Sequence, residues 1–241
     1  MIESTKAIVL HQIKYSDSGI VVQLYSHKYG RIACLIKGLR SKKSGKHNVL
    51  FQPLSILDMV IYYKASREVQ IMKDFSASYS PADIYSDIRK SSVALFLGEV
   101  LTSVLKEESP NIAMFDFLEN SIIYFDSCSE NYANFHLTFL AGLSSYLGFE
   151  PGKADTQENT YFDMLNGNFI QHPPAHGNYA GPEISDILAA LFSSSYENMG
   201  KIMLKGAVRN EVLDYLMKYF SIHLPGLKSI NSLIVLKEVF S

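Results

Sequence analysis

Cysteine is scarce in this chain of 241 residues, which has only Cys34 and Cys128, far apart and each among small or apolar neighbours. That usage predicts buried, reduced thiols rather than a disulfide. Long hydrophobic runs are missing too. No stretch of about 18 apolar residues occurs, and the opening MIESTK lacks the charged-then-apolar layout of a leader, so neither membrane spanning nor secretion is indicated and a cytoplasmic location is expected. Catalytic signatures are absent: there is no nucleophile elbow, Walker loop, dinucleotide fingerprint or HExxH. Of the seven histidines, His172 and His176 are four apart but flank Pro173-Pro174, which forbids the helix that would align their rings. Glu107 and Glu108 are adjacent, read as a helix end, and point apart there, which suits a solvated terminus better than acid/base work. The expectation is a protein that is not an enzyme.

What remains is an ordinary globular composition, 47% hydrophobic and 19% charged, with room for one large domain or two modest ones. The net charge of −2 hides an asymmetry. Residues 1 to 75 hold 12 Lys or Arg against 5 Asp or Glu, leaving 10 against 19 for the rest. The two parts carry opposite fields, which suggests a polyanion partner for the first. Its densest stretch, KGLRSKKSGK at 37 to 46, has Lys37, Arg40, Lys42, Lys43 and Lys46 and no acid.

The first 75 residues read as strands. TKAIVLHQIKY, IVVQLYS and RIACLIKG are β-rich and separated by the turns SDSG and HKYG; LSILDMVIYY and EVQIMKDFSA supply two more. In RIACLIKG, Ile32, Cys34 and Ile36 share one face, and Arg31, Leu35 and Lys37 the other. Five short strands suit a small closed Greek-key barrel, whose closure leaves no exposed edge. From Pro81 the period becomes helical: Ile84, Ile88, Leu95, Val100 and Val104 predict one helix running to the break at Pro110. Further helices follow, interrupted at 150–183 by a Gly- and Pro-rich insert in which LNGNF offers a hairpin turn. There is no internal repeat or low-complexity tract.

A lysine-rich loop is either a solubilising surface or a phosphate-binding one. Three features favour nucleic acid: the barrel, a scaffold suited to single strands; Arg31 and Lys37, which extend the charge along one strand face; and nearby tyrosines Tyr15, Tyr25, Tyr29, Tyr62 and Tyr63. Tyr25, Tyr29 and Tyr62 are the base-stacking candidates, although parity alone does not say which tyrosines are core. Lysines on a loop contact phosphate rather than read base edges, so binding should be sequence-tolerant and steeply salt-dependent. Two other classes stand beside this reading. One is a non-catalytic protein-interaction adaptor whose basic loop is only solvated surface. The other is a nucleic-acid hydrolase, for which Glu3, Asp17, Asp58, Glu68 and Asp74 are too scattered in sequence.

The order of parts resembles the bacterial recombination mediator family RecO. The resemblance is carried by TKAIVLHQIKYSDSGIVVQLYSHKYGRIACLIKGLRSKKS, LFQPLSILDMVIY, LGFEPG and LKSINSLIVLKEVF, a collinear set spanning nearly the whole chain. It implies an α+β multidomain protein: a five-stranded OB-fold β-barrel that binds DNA at 1–78 and an all-helical domain at 79–241, with 150–183 a loop-rich insert in place of a zinc module. It implies DNA repair by homologous recombination: binding of single- and double-stranded DNA, strand annealing, contact with the C-terminal tail of single-strand binding protein, and help from RecR in loading RecA, in the cytoplasm at the nucleoid. By position, the DNA-binding candidates are Arg31, Lys37, Arg40, Lys42, Lys43 and Lys46. The chain departs from the four-cysteine zinc module of many members, because the insert contains no cysteine. No zinc or other cofactor is expected, and Tyr161, Phe162 and Phe169 are expected to pack in place of the metal. Arg89, Lys90, Lys201, Lys205 and Arg209 are the cations available for a tail ending in a carboxylate, each of which a solvated helix face also explains.

Overall fold

A computed structural model describes residues 1–16, 19–37, 50–153 and 160–241. The chain forms two compact units, Met1–Asp126 with Ile230–Leu233, and Ser127–Ser229 with Ile234–Ser241.

The first unit is built on strands β1 (Ile2–Ser16), β2 (Gly19–Ser26), β3 (Gly30–Lys37), β4 (Ile56–Tyr62) and β5 (Val69–Tyr79). They close into a barrel in the order β1-β2-β3-β5-β4, antiparallel throughout except where β3 runs parallel to β5. β1 is long enough to pair with both β2 and β4, and the register shift between Val9 and His11 is the bulge that bends it from one partner to the other. Alternation does the rest. Ala7, Val9, Val22, Leu24, Ile32, Cys34, Ile36, Leu57, Met59 and Ile61 point inward and fill the barrel, and burial pushes the Cys34 thiol up to about 12, leaving it inert. Phe51, on the chain between β3 and β4, is fully buried in this core and packs on Phe75 at 4.9 Å.

Three helices follow in the same unit: α1 (Ala82–Ser86), α2 (Ile88–Val104) and α3 (Ile112–Ser127), the last belonging to this unit as far as Asp126. The single helix expected after Pro81 is thus two. Asp87 takes an extended conformation, and its carboxylate accepts from the amides of Arg89 and Lys90, so it ends one helix and caps the next. The break rotates the buried face. Val93, Phe96, Leu97, Val100 and Leu101 form the core of α2, while Ile88 and Leu95 are exposed. A buried polar set ties helices to barrel: Asp126 accepts from the Tyr79 hydroxyl and the Ile84 amide, and Lys90 donates to the Asp126 carbonyl.

The second unit holds α4 (Phe135–Tyr146), the small sheet β6 (Tyr161–Asp163), β7 (Asn168–Ile170) and β8 (Tyr179–Ala180), α5 (Pro182–Phe192) and α6 (Gly206–His223), together with most of α7 (Ser232–Val239). The hairpin read in YFDMLNGNF is β6–β7, with Phe162 opposite Phe169 and Gly167 at φ +64. Asp163 organises its turn, accepting from the amides of Leu165 and Asn166 and from the Asn166 side chain, and pairing with His176 at 3.3 Å. Above it Phe162 contacts Phe169, Phe192 and Tyr219, and Tyr161 meets Tyr179 edge-on. Cys34 is buried as expected, whereas Cys128 is half-buried, because its thiol caps the carbonyl of Glu130 at the surface.

His136 is fully enclosed in this unit against Phe240, and its Nδ1 has no hydrogen-bond partner among the described residues. Burial, with Arg209 adding to it, pushes its imidazole down to about 3. The folded value lies below the unfolded 6.5, so the unfolded chain takes up the proton first. This contribution is intact above about pH 6.5 and is lost progressively as pH falls toward 3, up to about 5 kcal/mol in all. Urea unfolding at stepped pH should show a decline over that window that is visibly shallower in His136→Phe; equal slopes would contradict the assignment.

Candidate nucleic-acid interface

Strand β3 carries two of the candidate cations, Arg31 and Lys37. Its alternation sends Arg31, Ala33, Leu35 and Lys37 outward, as the sequence parity predicts, and Lys37 is exposed at the end of the strand. There β3 pairs with Gly19, beside the tip of the β1–β2 hairpin, so Lys37 stands next to the hairpin that also carries Lys14 and the exposed Tyr15. The rest of the basic stretch, Arg40, Lys42, Lys43 and Lys46, follows Lys37 in sequence and lies outside the described residues, bounded by Lys37 and Leu50.

The other end of β3 has a different task. Arg31 is half-buried, and its Nη1 donates to the carbonyls of Thr102 and Leu105 at the C-terminus of α2, the latter at 2.8 Å. These are carbonyls that a helix end leaves without intrahelical donors, and a cation there also complements the helix dipole. Burial lowers the guanidinium from its ordinary value, with Glu108 opposing that shift. The preceding Gly30 makes the approach feasible. It sits at φ +63, and a Cβ there would lie 2.5 Å from the Glu107 carbonyl and 2.3 Å from that of Ser109, while the Arg31 amide donates to Glu107 at 2.9 Å. The Gly-Arg pair of the sequence motif thus clasps the segment after α2 to the barrel. Sequence reading missed this because the partners are backbone carbonyls some 70 residues away, which no residue type announces.

The tyrosine candidates separate. Tyr25, opposite Arg31 in the β2–β3 register, is only 2% exposed, so no face of its ring is open to a base, and burial raises its phenol. Its assignment as a stacking residue is corrected on that ground. Tyr29 is half-buried and stacks on Tyr63 at 4.3 Å and 18°. Tyr62 is exposed, with the Lys73 ammonium 5.9 Å from its ring. Tyr63, one of the nearby tyrosines of the sequence, is the ring that Tyr29 stacks on. Of the scattered carboxylates, Asp58 and Asp74 line one depression with Lys6, while Glu3 pairs with Lys28.

The cations considered for an acidic tail also divide. Lys90 is buried, and Arg209 donates to Asn134 and to the Leu204 carbonyl. Asn134 in turn holds the carbonyls of Met199 and Ile202. These bonds fix the backbone of the stretch from 199 to 204, around which Lys201, Met203 and Lys205 are exposed, Met203 to 90%. Arg89 lies on the first turn of α2 with its side chain exposed.

A four-thiolate zinc site does not fit the insert. It has no cysteine, and among its described residues the Asp163 carboxylate, 3.3 Å from His176 Nε2, already accepts from the backbone and side chain of the hairpin turn. Among the described residues no group of three or more His, Cys, Asp or Glu side chains is placed to hold a metal ion, and no helix is long and apolar enough to cross a membrane.

Arg31→Gln should lower stability by about 1–3 kcal/mol, because two part-buried carbonyls lose their charged donor. The same variant should leave the salt dependence of DNA affinity unchanged. A slope reduced with stability intact would instead make Arg31 a phosphate contact.

Comparison with known proteins agrees with these observations. The model for "Recombination protein O N terminal" matches residues 1–80, and that for "Recombination protein O C terminal" matches residues 85–231. The proteins named DNA repair protein RecO of Phocaeicola vulgatus and Bacteroides fragilis are each 37% identical to this chain over the full length of both, and that of Porphyromonas gingivalis is 33% identical over the same extent. With an OB-like five-stranded barrel leading into helices and both family models matched in order, the chain belongs to the RecO family of DNA repair and recombination proteins.

Proposed function

We propose that the chain is a non-catalytic recombination mediator that binds single- and double-stranded DNA through the Lys37 end of its barrel and promotes annealing of complementary strands. The observation that carries this reading is the exposure of Lys37 on the outward face of β3, at the point where the chain continues into Arg40, Lys42, Lys43 and Lys46. A cationic surface there offsets the mutual repulsion of two phosphate backbones and so lowers the barrier to pairing. Family membership supports the wider role: cooperation with RecR in placing RecA on strands coated by single-strand binding protein, in the cytoplasm at the nucleoid. For the acidic tail of that protein, the pinned stretch carrying Lys201, Met203 and Lys205 offers cations beside an apolar side chain, the chemistry such a tail requires.

The insert works without metal in this reading. Asp163 and its partners fix the turn, and the Phe162, Phe192 and Tyr219 cluster gives the sheet a core of its own.

Fluorescence anisotropy of a labelled single-stranded oligonucleotide at several salt concentrations tests the function. The wild type should lose affinity steeply with salt, and Lys42→Glu combined with Lys43→Glu and Lys46→Glu should make the salt slope shallower by about three and abolish annealing, with the melting temperature kept. Unchanged affinity in that variant, with tight salt-insensitive binding to a protein partner, would favour an adaptor instead. Thermal melting with and without a strong chelator should give the same midpoint, and a fall of several degrees would contradict a metal-free insert.

A further inference from the structure

The outward face of β3 leads from Lys37 to a groove of about 410 Å³ at the opposite end of the strand, within the first unit. Tyr29, Ala33, Tyr63, Arg67, Glu68 and Glu108 line it. Its character differs from that of the Lys37 end. The stacked Tyr29–Tyr63 pair forms an aromatic wall, and Ala33 and Val69, paired across the parallel β3–β5 ladder, form an apolar floor. Its charges are balanced. Arg31 and Arg67 line it together with two carboxylates, Glu68 and Glu108, and Arg31 is already bonded to the end of α2. A phosphate would share the groove with those carboxylates, whereas a neutral planar group bearing both donors and acceptors would find partners of each kind beside the paired tyrosine rings.

We infer that this groove is a subsite for one unpaired nucleobase of a strand whose phosphates are held at the Lys37 end; the inference rests on the proposed DNA binding and adds its single-strand selectivity. The path between the two places is consistent with this. Ala33 and Lys37 are four residues apart on the same face, about 13 Å at the strand rise, or about four nucleotides at B-form spacing. Between them a row of outward residues crosses the barrel in register, Ile13 opposite Val21, Val21 opposite Leu35, and Leu35 opposite Ile71, all apolar and none fully buried. Base faces are compatible with such a row and phosphates are not. A base inside a duplex cannot enter the groove without unpairing, so the groove acts on single strands alone.

The test uses the full chain, a single-stranded oligonucleotide carrying one 2-aminopurine, and the same sequence as a duplex. Two variants are compared with the wild type. Tyr63→Leu removes the stacking ring but also a side chain packed against the barrel core, so its fold must be checked by thermal melting. Ala65→Leu fills the groove from an exposed loop position and leaves the core untouched. Loss of single-strand affinity by about tenfold in both, with duplex affinity within about twofold and the 2-aminopurine signal of the wild-type complex abolished, is the expected result. Unchanged single-strand affinity and signal in Ala65→Leu would overturn the groove assignment, as would an equal loss on both forms of DNA. Failure of the wild type to bind either form would overturn the proposed function itself.

Discussion

Closure of the barrel through the short parallel ladder between β3 and β5 decides where every outward side chain of the first unit points. Ala33 to Leu35 pair with Val69 to Ile71, and this contact fixes β3 between an antiparallel neighbour and a parallel one. Once β3 is held on both edges, its inward side chains, Ile32, Cys34 and Ile36, must complete the core, and its outward ones are dealt alternately to solvent. A slip of one residue would bury Lys37 and expose Ile36. The hydrophobic core therefore enforces the placement of the charge.

That strand divides two tasks between its ends. At Gly30 and Arg31 the backbone approaches the end of α2 closely enough that only glycine fits, and a guanidinium holds carbonyls that α2 cannot satisfy itself. At Lys37, about 20 Å away at the strand rise, no described contact claims the ammonium, and the chain departs into its most basic segment. The asymmetry matters for function, because a surface that binds polyanions needs free cations on a rigid support, and the clasp at the far end helps supply the rigidity.

Much of this was legible in the sequence for a physical reason: a barrel buried on one face imposes a period of two, which RIACLIKG displays plainly, and the hairpin in the insert is announced by Asn166-Gly167. What was not legible depended on contacts distant in the chain. Arg31 looked like surface charge because its acceptors are main-chain oxygens of residues 102 and 105, and Tyr25 looked available because nothing local reveals what covers it. Asp87 interrupted a helix that apolar spacing predicted as continuous, since a single capping carboxylate outweighs a weak periodic signal. The groove joins residues from β3, the β4–β5 loop and the segment after α2, and only the closed barrel brings them together.

Hydrogen–deuterium exchange of the full chain, with and without a saturating single-stranded oligonucleotide, addresses the division of labour along β3 most directly. The account predicts new protection in peptides covering residues 13–16, 36–50 and 62–69, with the clasp at Gly30–Arg31 equally protected in both states. Protection confined to the second unit, with the barrel unchanged, would contradict it.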